Sequence, residues 1–403
     1  MKSLLKFGAV VGVASAVLAS APAFAQDKYT ILIGYGFGGT YGKYARTMAD
    51  HLRNYIPGGA TIVVQSMPGA GGLKATNYAS KVMPNNGKWI LEPPDTLVIS
   101  QLMRPKKVKY DARKFTWIGS VNRTNTIFVL TKKAGVKKWQ DMKTKEVIAG
   151  GTGPGSTSYI IPQMLKHMLG AKIKVIGGYK GSKRTVLAME QGEHHGTGFN
   201  WLAWSSIAPH WFAKKYGGTA EPGKEFAEPL LQVGTEPDPL LPDVPMITDY
   251  VSGINMKIVS FISSHGIIGR GLAFPPGVSE KQISSMRKSY ASMAKDKNFI
   301  ADAEKRRLRV LYSSGEEIQK VVNGAFKNVD PSVVKAAAKM VLSYHCSRKR
   351  ANSSICFSSL LPVKRTHKCC APPSTKSFSQ AVTLARSPAT EYCWRRISSA
   401  GRR

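Results

Sequence analysis

Glycine amides and small hydroxyls, rather than a nucleophile beside a base, are the groups whose spacing in this 403-residue sequence suggests chemistry. Four loops carry them: Gly34-Tyr35-Gly36-Phe37-Gly38-Gly39-Thr40, Pro68-Gly69-Ala70-Gly71-Gly72, Gly150-Gly151-Thr152-Gly153-Pro154-Gly155-Ser156-Thr157 and Gly177-Gly178-Tyr179-Lys180-Gly181-Ser182. Each lies between an apolar strand pattern and an amphipathic helix pattern. The first turn of a helix leaves backbone N–H groups unpaired at the positive end of the helix dipole, and glycine lets successive N–H groups turn towards one point. A carboxylate or phosphate suits such a place. Taken singly, each loop reads equally well as a tight strand-to-helix turn; the matched arrangement of four favours an anion cleft.

Other chemistries find less support. Gly34, Gly36 and Gly39 have the spacing of a dinucleotide fingerprint, yet the end of the next strand offers Gln65, Ser66 and Met67 where a ribose-binding acid belongs. No cofactor is therefore expected. Ser156 and Ser158 stand among glycines, but Gly-x-Ser-x-Gly is absent and no histidine or acid is placed by spacing as a partner. A secreted serine hydrolase acting on an ester or amide is the alternative class, and no catalytic residue is assigned. His194 and His195 point to opposite faces if they lie on a strand, and nothing near them completes a metal site. Lys180 and Arg184 flank a candidate loop, where either could meet a second carboxylate.

The elements that must position these loops alternate strand and helix, which predicts an α/β protein with two lobes. Tyr29–Ile33 and Thr61–Val64 precede the first two loops; Val147–Ala149 and Ile173–Ile176 precede the other two. In an open, mostly parallel sheet flanked by helices, such loops gather at the carboxyl ends of the strands, so two facing lobes would offer donors from both sides. One lobe is read as 26–126 plus 247–344 and the other as 127–246. Asn125–Leu130 is read as a strand passing between them and Ile267–Phe274 as the strand after the return. Helices near Ile283, Met286, Tyr290 and Met293, and near Val333, Val334, Ala337 and Met340, are expected to close the first lobe.

The two ends of the chain differ from this body. Residues 1–25 read as a secretory signal peptide, with Lys2 and Lys6, an apolar run from Phe7 to Leu18, and Ala23-Phe24-Ala25 at the cleavage site. This predicts export out of the cytoplasm, to where nucleotide cofactors are scarce. Residues 345–403 contain all five cysteines and twelve Lys and Arg against the single acid Glu391, so 11 of the 34 net positive charges sit there. An odd cysteine count and the loss of periodicity argue against a disulfide framework, and the stretch is read as a disordered tail translated beyond the natural end. It has no organised nucleic-acid-binding motif. The basic body could attract anionic solutes, although dispersed surface lysines also serve solubility.

The run Val63-Val64-Gln65-Ser66-Met67-Pro68-Gly69-Ala70-Gly71-Gly72 resembles the V-V-E-N-R-P-G-A-G-G signature of the substrate-binding receptors of tripartite tricarboxylate transporters, the Bug receptors. In the same order, Gly38-Gly39 with Ala45-Arg46, Gly153–Ser158, Gly178-Tyr179-Lys180-Gly181 and Leu241-Pro242-Asp243-Val244-Pro245 resemble further segments of that family, over roughly residues 29–343. The resemblance implies a type II periplasmic-binding-protein fold, a Venus flytrap whose lobes close on a small organic acid. It narrows the expected location to the periplasm and implies a monomer that delivers a mono-, di- or tricarboxylate, aromatic ones included, to two integral membrane transporter subunits, with no nucleic-acid partner. Carried over by position, the ligand contacts are Phe37, Gly38, Gly39 and Thr40; Pro68, Gly69, Ala70, Gly71 and Gly72; Thr152, Gly153, Gly155, Ser156 and Thr157; and Tyr179, Lys180 and Gly181. Asn200 is added as a possible polar contact near a family aspartate. Trp201 and Trp204 either pack as core or line the pocket. Gly42 stands where many members have an aspartate, which shifts the expectation from amino acids towards simple carboxylates. Tyr159 replaces a frequent histidine and is read as helix packing.

Overall fold

The computed structural model describes residues 26–342, apart from residue 124. The signal-peptide and tail readings lie outside the described residues. Eleven strands and eleven α-helices follow one another in that span. The first sheet is built from β1 (Asp27–Ile33), β2 (Ala60–Ser66), β3 (Trp89–Glu92), β4 (Thr116–Ser120), and later β10 (Gly271–Phe274) and β11 (Ser313–Ser314), in the order β11-β4-β10-β3-β1-β2. The second holds β5 (Thr126–Thr131), β6 (Val147–Gly151), β7 (Ile173–Gly177), β8 (Gly196–Asn200) and β9 (Ala227–Val233), in the order β7-β6-β8-β5-β9.

Both sheets are mixed. Parallel pairing is confined to β2-β1-β3 and β7-β6-β8, while β10 and β5 pair antiparallel with their neighbours. The cause is topological: β5 and β10 are the strands by which the chain enters each sheet after crossing, and they arrive from the cleft side. That orientation puts the residue before β10 at the same sheet edge as the carboxyl ends of β1 and β3.

Helices cover both faces of each sheet. In the first lobe these are α1 (Thr40–Leu52), α2 (Leu73–Lys81), α3 (Leu97–Met103), α8 (Glu280–Lys295), α9 (Lys297–Lys305) and α10 (Gly315–Asn328). Successive β1 side chains alternate, so Ile31 and Ile33 join a core with Tyr44, Met48 and Met286, while Leu32 joins another with Leu73, Leu91 and Val322. In the second lobe α4 (Thr157–Met168), α5 (Ser182–Glu190) and α6 (Trp201–Ile207) do the same, with Phe128 and Leu130 on one face and Ile127 and Val129 on the other.

Two helices in the span expected for the first lobe also pack against the second. In α7 (Gly253–Ser263) and α11 (Pro331–Leu342), Ile258, Phe261, Val333, Ala337 and Val341 are buried in one cluster with Ile160, Met164 and Leu231 of the second lobe and with Ile99 and Met103 of α3. The first sheet's faces are already filled by α1, α8 and α10, and the apolar stripe of α11 finds its partners on α4, α7 and α3. Among the described residues no helix is long and apolar enough to cross a membrane.

Candidate ligand chamber between the lobes

Three helices that start at the cleft receive no cap from the side chain of their own N-cap residue: Gly39 before α1, Ser156 before α4 and Gly181 before α5. Helices α8, α9 and α10 are capped by Ser279, Asp296 and Ser314. Starts without such a cap also occur at α2, α3 and α7. What distinguishes the cleft is convergence: the starts of α1, α4 and α5 line one narrow chamber.

The chamber wall takes Tyr35, Gly39, Thr40, Tyr41, Asp95 and Arg270 from the first lobe, and Thr152, Ser156, Thr157, Ser158, Ser182, Phe199, Asn200 and Ala203 from the second. About 30 Å³ is open to the centres of water-sized molecules. That is room for roughly two waters, so the lobes stand close together.

Direct contacts seal them. Gly36 N–H donates to the Lys180 carbonyl at 2.8 Å, Thr40 N–H donates to Ser182 Oγ at 3.3 Å, and the Gly155 carbonyl accepts from Thr96 Oγ1 and from Ser100 Oγ. Gly71, at φ +70°, lies against the Gly155–Ser156 backbone: a Cβ there would meet Ser156 N at 3.0 Å and Gly155 C at 3.1 Å. Only a residue without a side chain lets the two loops approach this far.

The hydroxyls form an ordered chain. Thr152 N–H donates to Ser158 Oγ at 3.0 Å, and Ser156 Oγ donates to the Gly153 carbonyl at 2.8 Å. With that proton committed, the 2.9 Å contact between Ser156 Oγ and Ser158 Oγ has Ser158 as donor. Among the described residues no imidazole or carboxylate hydrogen bonds to Ser156. Its hydroxyl accepts from Ser158 and donates to the Gly153 carbonyl.

The predicted contacts separate into groups. Gly39, Thr40, Thr152, Ser156, Thr157 and Asn200 line the chamber. Phe37, Gly38, Pro68, Lys180 and Gly181, together with Lys183 and Arg184, line a second cavity of about 490 Å³, which shares Gly39 with the chamber. Ala70, Gly71, Gly153 and Gly155 form the seam, while Gly69 packs on Lys74 and Gly72 on Pro94 within the first lobe. Tyr179 points away, its hydroxyl donating to Glu193 at 2.9 Å. Asn200 also accepts from Ala203 N–H at 2.9 Å, capping α6.

Trp201 and Trp204 are fully buried, so the core reading is the one realised. Tyr159 likewise joins the α4 packing. At Gly42 a Cβ would come within 2.0 Å of the Phe37 carbonyl, so no side chain fits where the family aspartate would stand. His194 is buried with its ring nitrogens 3.1 Å from the Gly196 and Thr185 carbonyls, and the described residues hold no group of three or more potential metal-ligating side chains.

Sequence reasoning missed the charged pair at the chamber. Arg270, before β10, donates from Nη1 to Asp95 Oδ2 at 3.2 Å and to the Gly269 carbonyl, with its guanidinium carbon 3.9 Å from the Tyr41 ring centre. Both side chains are buried. Glu92 is wholly buried with no hydrogen-bond partner on either oxygen among the described residues, and burial pushes its carboxyl well above the usual range. The available signal was an arginine inside the apolar run 267–274 and two acids around Pro93-Pro94; a charge within an apolar run is informative because it needs a partner when buried.

No model of a known protein family matches the chain, and no curated protein sequence matches it. Solved structures do. The periplasmic binding protein BugD is similar with a TM-score of 0.61 at 17% identity, covering 78% of this chain and 98% of its own. Rpa4515 of R. palustris, solved with adipate, has a TM-score of 0.57 at 19% identity, covering 79% and 98%. MatC from Rhodopseudomonas palustris, solved with bound malate, has 0.59 at 16%, covering 78% and 100%. This chain therefore has the two-lobed α/β fold of the periplasmic binding proteins, the fold that the Bug-like signature at 63–72 implied.

Proposed function

We propose that this protein is a periplasmic receptor that closes its two lobes around a small organic carboxylate and presents it to a tripartite tricarboxylate-type membrane transporter. The observation that carries the reading is the chamber itself: hydroxyls, helix starts and a buried guanidinium from both lobes converge on one enclosed space. A ligand there touches both lobes only when they are together, so it stabilises the closed form that membrane partners can recognise. Structures of the same fold hold adipate and malate, and the hydroxyls and the guanidinium of this chamber suit a carboxylate group. The contacts assigned to the ligand are Gly39, Thr40, Thr152, Ser156, Thr157 and Asn200, joined by Ser158, Ser182, Asp95 and Arg270.

The test is a thermal-shift screen of mono-, di- and tricarboxylates, aromatic acids and amino acids on the purified chain. A ligand that binds only the folded state at about 100 times its Kd adds roughly 2.7 kcal/mol of stability. A screen in which no acid raises the melting temperature removes the receptor reading.

A further inference from the structure

The chamber has one positive and one negative side chain, and they are already neighbours. Among its lining residues only Arg270 and Asp95 are charged. A plain carboxylate entering beside Arg270 would be brought against Asp95 as well, leaving a buried excess of negative charge. A ligand with an ammonium group next to its carboxylate leaves no excess.

Each member of the pair has capacity left. Arg270 uses only Nη1 in its hydrogen bonds, so Nη2 makes none among the described residues, while Nε is closed off without a hydrogen-bond partner among them. Asp95 Oδ2 accepts from Arg270, whereas Oδ1 makes no hydrogen bond among the described residues. Tyr41 fixes both: its ring stacks on the guanidinium, and its hydroxyl accepts from Asp95 N–H at 2.9 Å. The result is a preset pair of opposite charges with an open acceptor on one side and open donor capacity on the other.

Resting on the receptor reading above, we propose that Asp95 and Arg270 select a small zwitterion, an α-amino acid, with its ammonium on Asp95 and its carboxylate on Arg270 and the surrounding hydroxyls. The anion that Gly42 cannot supply is supplied from the loop after β3.

Isothermal titration of the full chain with three pairs of compounds differing by one amino group tests this: alanine and propionate, aspartate and succinate, glutamate and glutarate. The expected result is at least tenfold tighter binding of the amino member in the best-bound pair, with Asp95→Asn reversing the preference. Equal or tighter binding of the acid without the amino group by the unaltered protein overturns the inference and leaves the receptor reading standing. Failure of all six, and of every other acid in the thermal screen, removes both. The comparison on the unaltered protein decides the matter even if Asp95→Asn does not fold.

Discussion

Replacing Gly71 by alanine separates loop strain from lobe closure. The residue sits at φ +70°, where an alanine costs roughly 1–2 kcal/mol because its Cβ crowds the following carbonyl. This strain is internal to one loop and is felt whether the lobes are apart or together. The new methyl carbon also meets Ser156 N at 3.0 Å and Gly155 C at 3.1 Å, and those atoms belong to the other lobe. The obstacles are backbone, and the Gly155 carbonyl is held by Thr96 and Ser100, so they cannot simply rotate aside. Overpacking of this kind costs about 1–3 kcal/mol, and here it falls on the closed form alone. Ligand affinity measured by titration calorimetry should therefore drop about 5- to 150-fold. Gly170→Ala is the matched control: its φ is +69° and no atom lies within 4 Å of the new Cβ, so stability should fall with affinity unchanged. If Gly71→Ala binds ligand within twofold of the unaltered protein, the Gly71–Gly155 seam is not part of closure.

Three further outcomes follow from the same contacts. Glu92→Met should raise stability at pH 7.5 by roughly 1–3 kcal/mol, since it removes two buried oxygens without partners. The unfolded carboxyl ionises near 4.5 while the folded one keeps its proton well above that, so stability declines as pH rises past 4.5; the gain should shrink at pH 4, as melting curves at both pH values will show. Burial holds the His194 ring below its usual 6.5 despite two carbonyls that favour the charged form, so in the Glu92→Met background, which removes the opposing slope of Glu92, the melting temperature should be flat above pH 7 and fall below 6.5. His194→Gln should flatten that fall, and an unchanged slope would contradict it. Lys180→Ala should leave affinity within about twofold, because this residue meets the first lobe through its carbonyl and lines the second cavity rather than the chamber; a tenfold loss would place the ammonium on the ligand.

Local pattern revealed the strands, the helices and the loops between them, because apolar periodicity and glycine clusters are properties of short segments. Thr40, Thr152, Ser156 and Thr157 could be read as chamber residues for that reason: Thr40, Ser156 and Thr157 stand at helix starts after glycine-rich turns, and Thr152 lies within such a turn. Gly71 and Gly155 were legible as special but not as partners, since two loops 84 positions apart in the chain meet only when the lobes do. Arg270 and Asp95 come together across 175 positions, and no short window contains both. The packing partners of α11 are hidden for the same reason. Its stripe of Val333, Ala337 and Val341 announces a buried face without saying which lobe receives it.

That last helix has a consequence for how the molecule can be made. Residues 331–342 supply part of the floor beneath α4 and α7, so a nascent chain lacking them leaves Ile160, Met164 and Ile262 without their cover. Completion of the middle of the polypeptide thus waits for its far end, and the long separation between these partners favours slow, late consolidation. A product cut short before Pro331 should be cleaved readily by protease in its central third, while the full-length form resists.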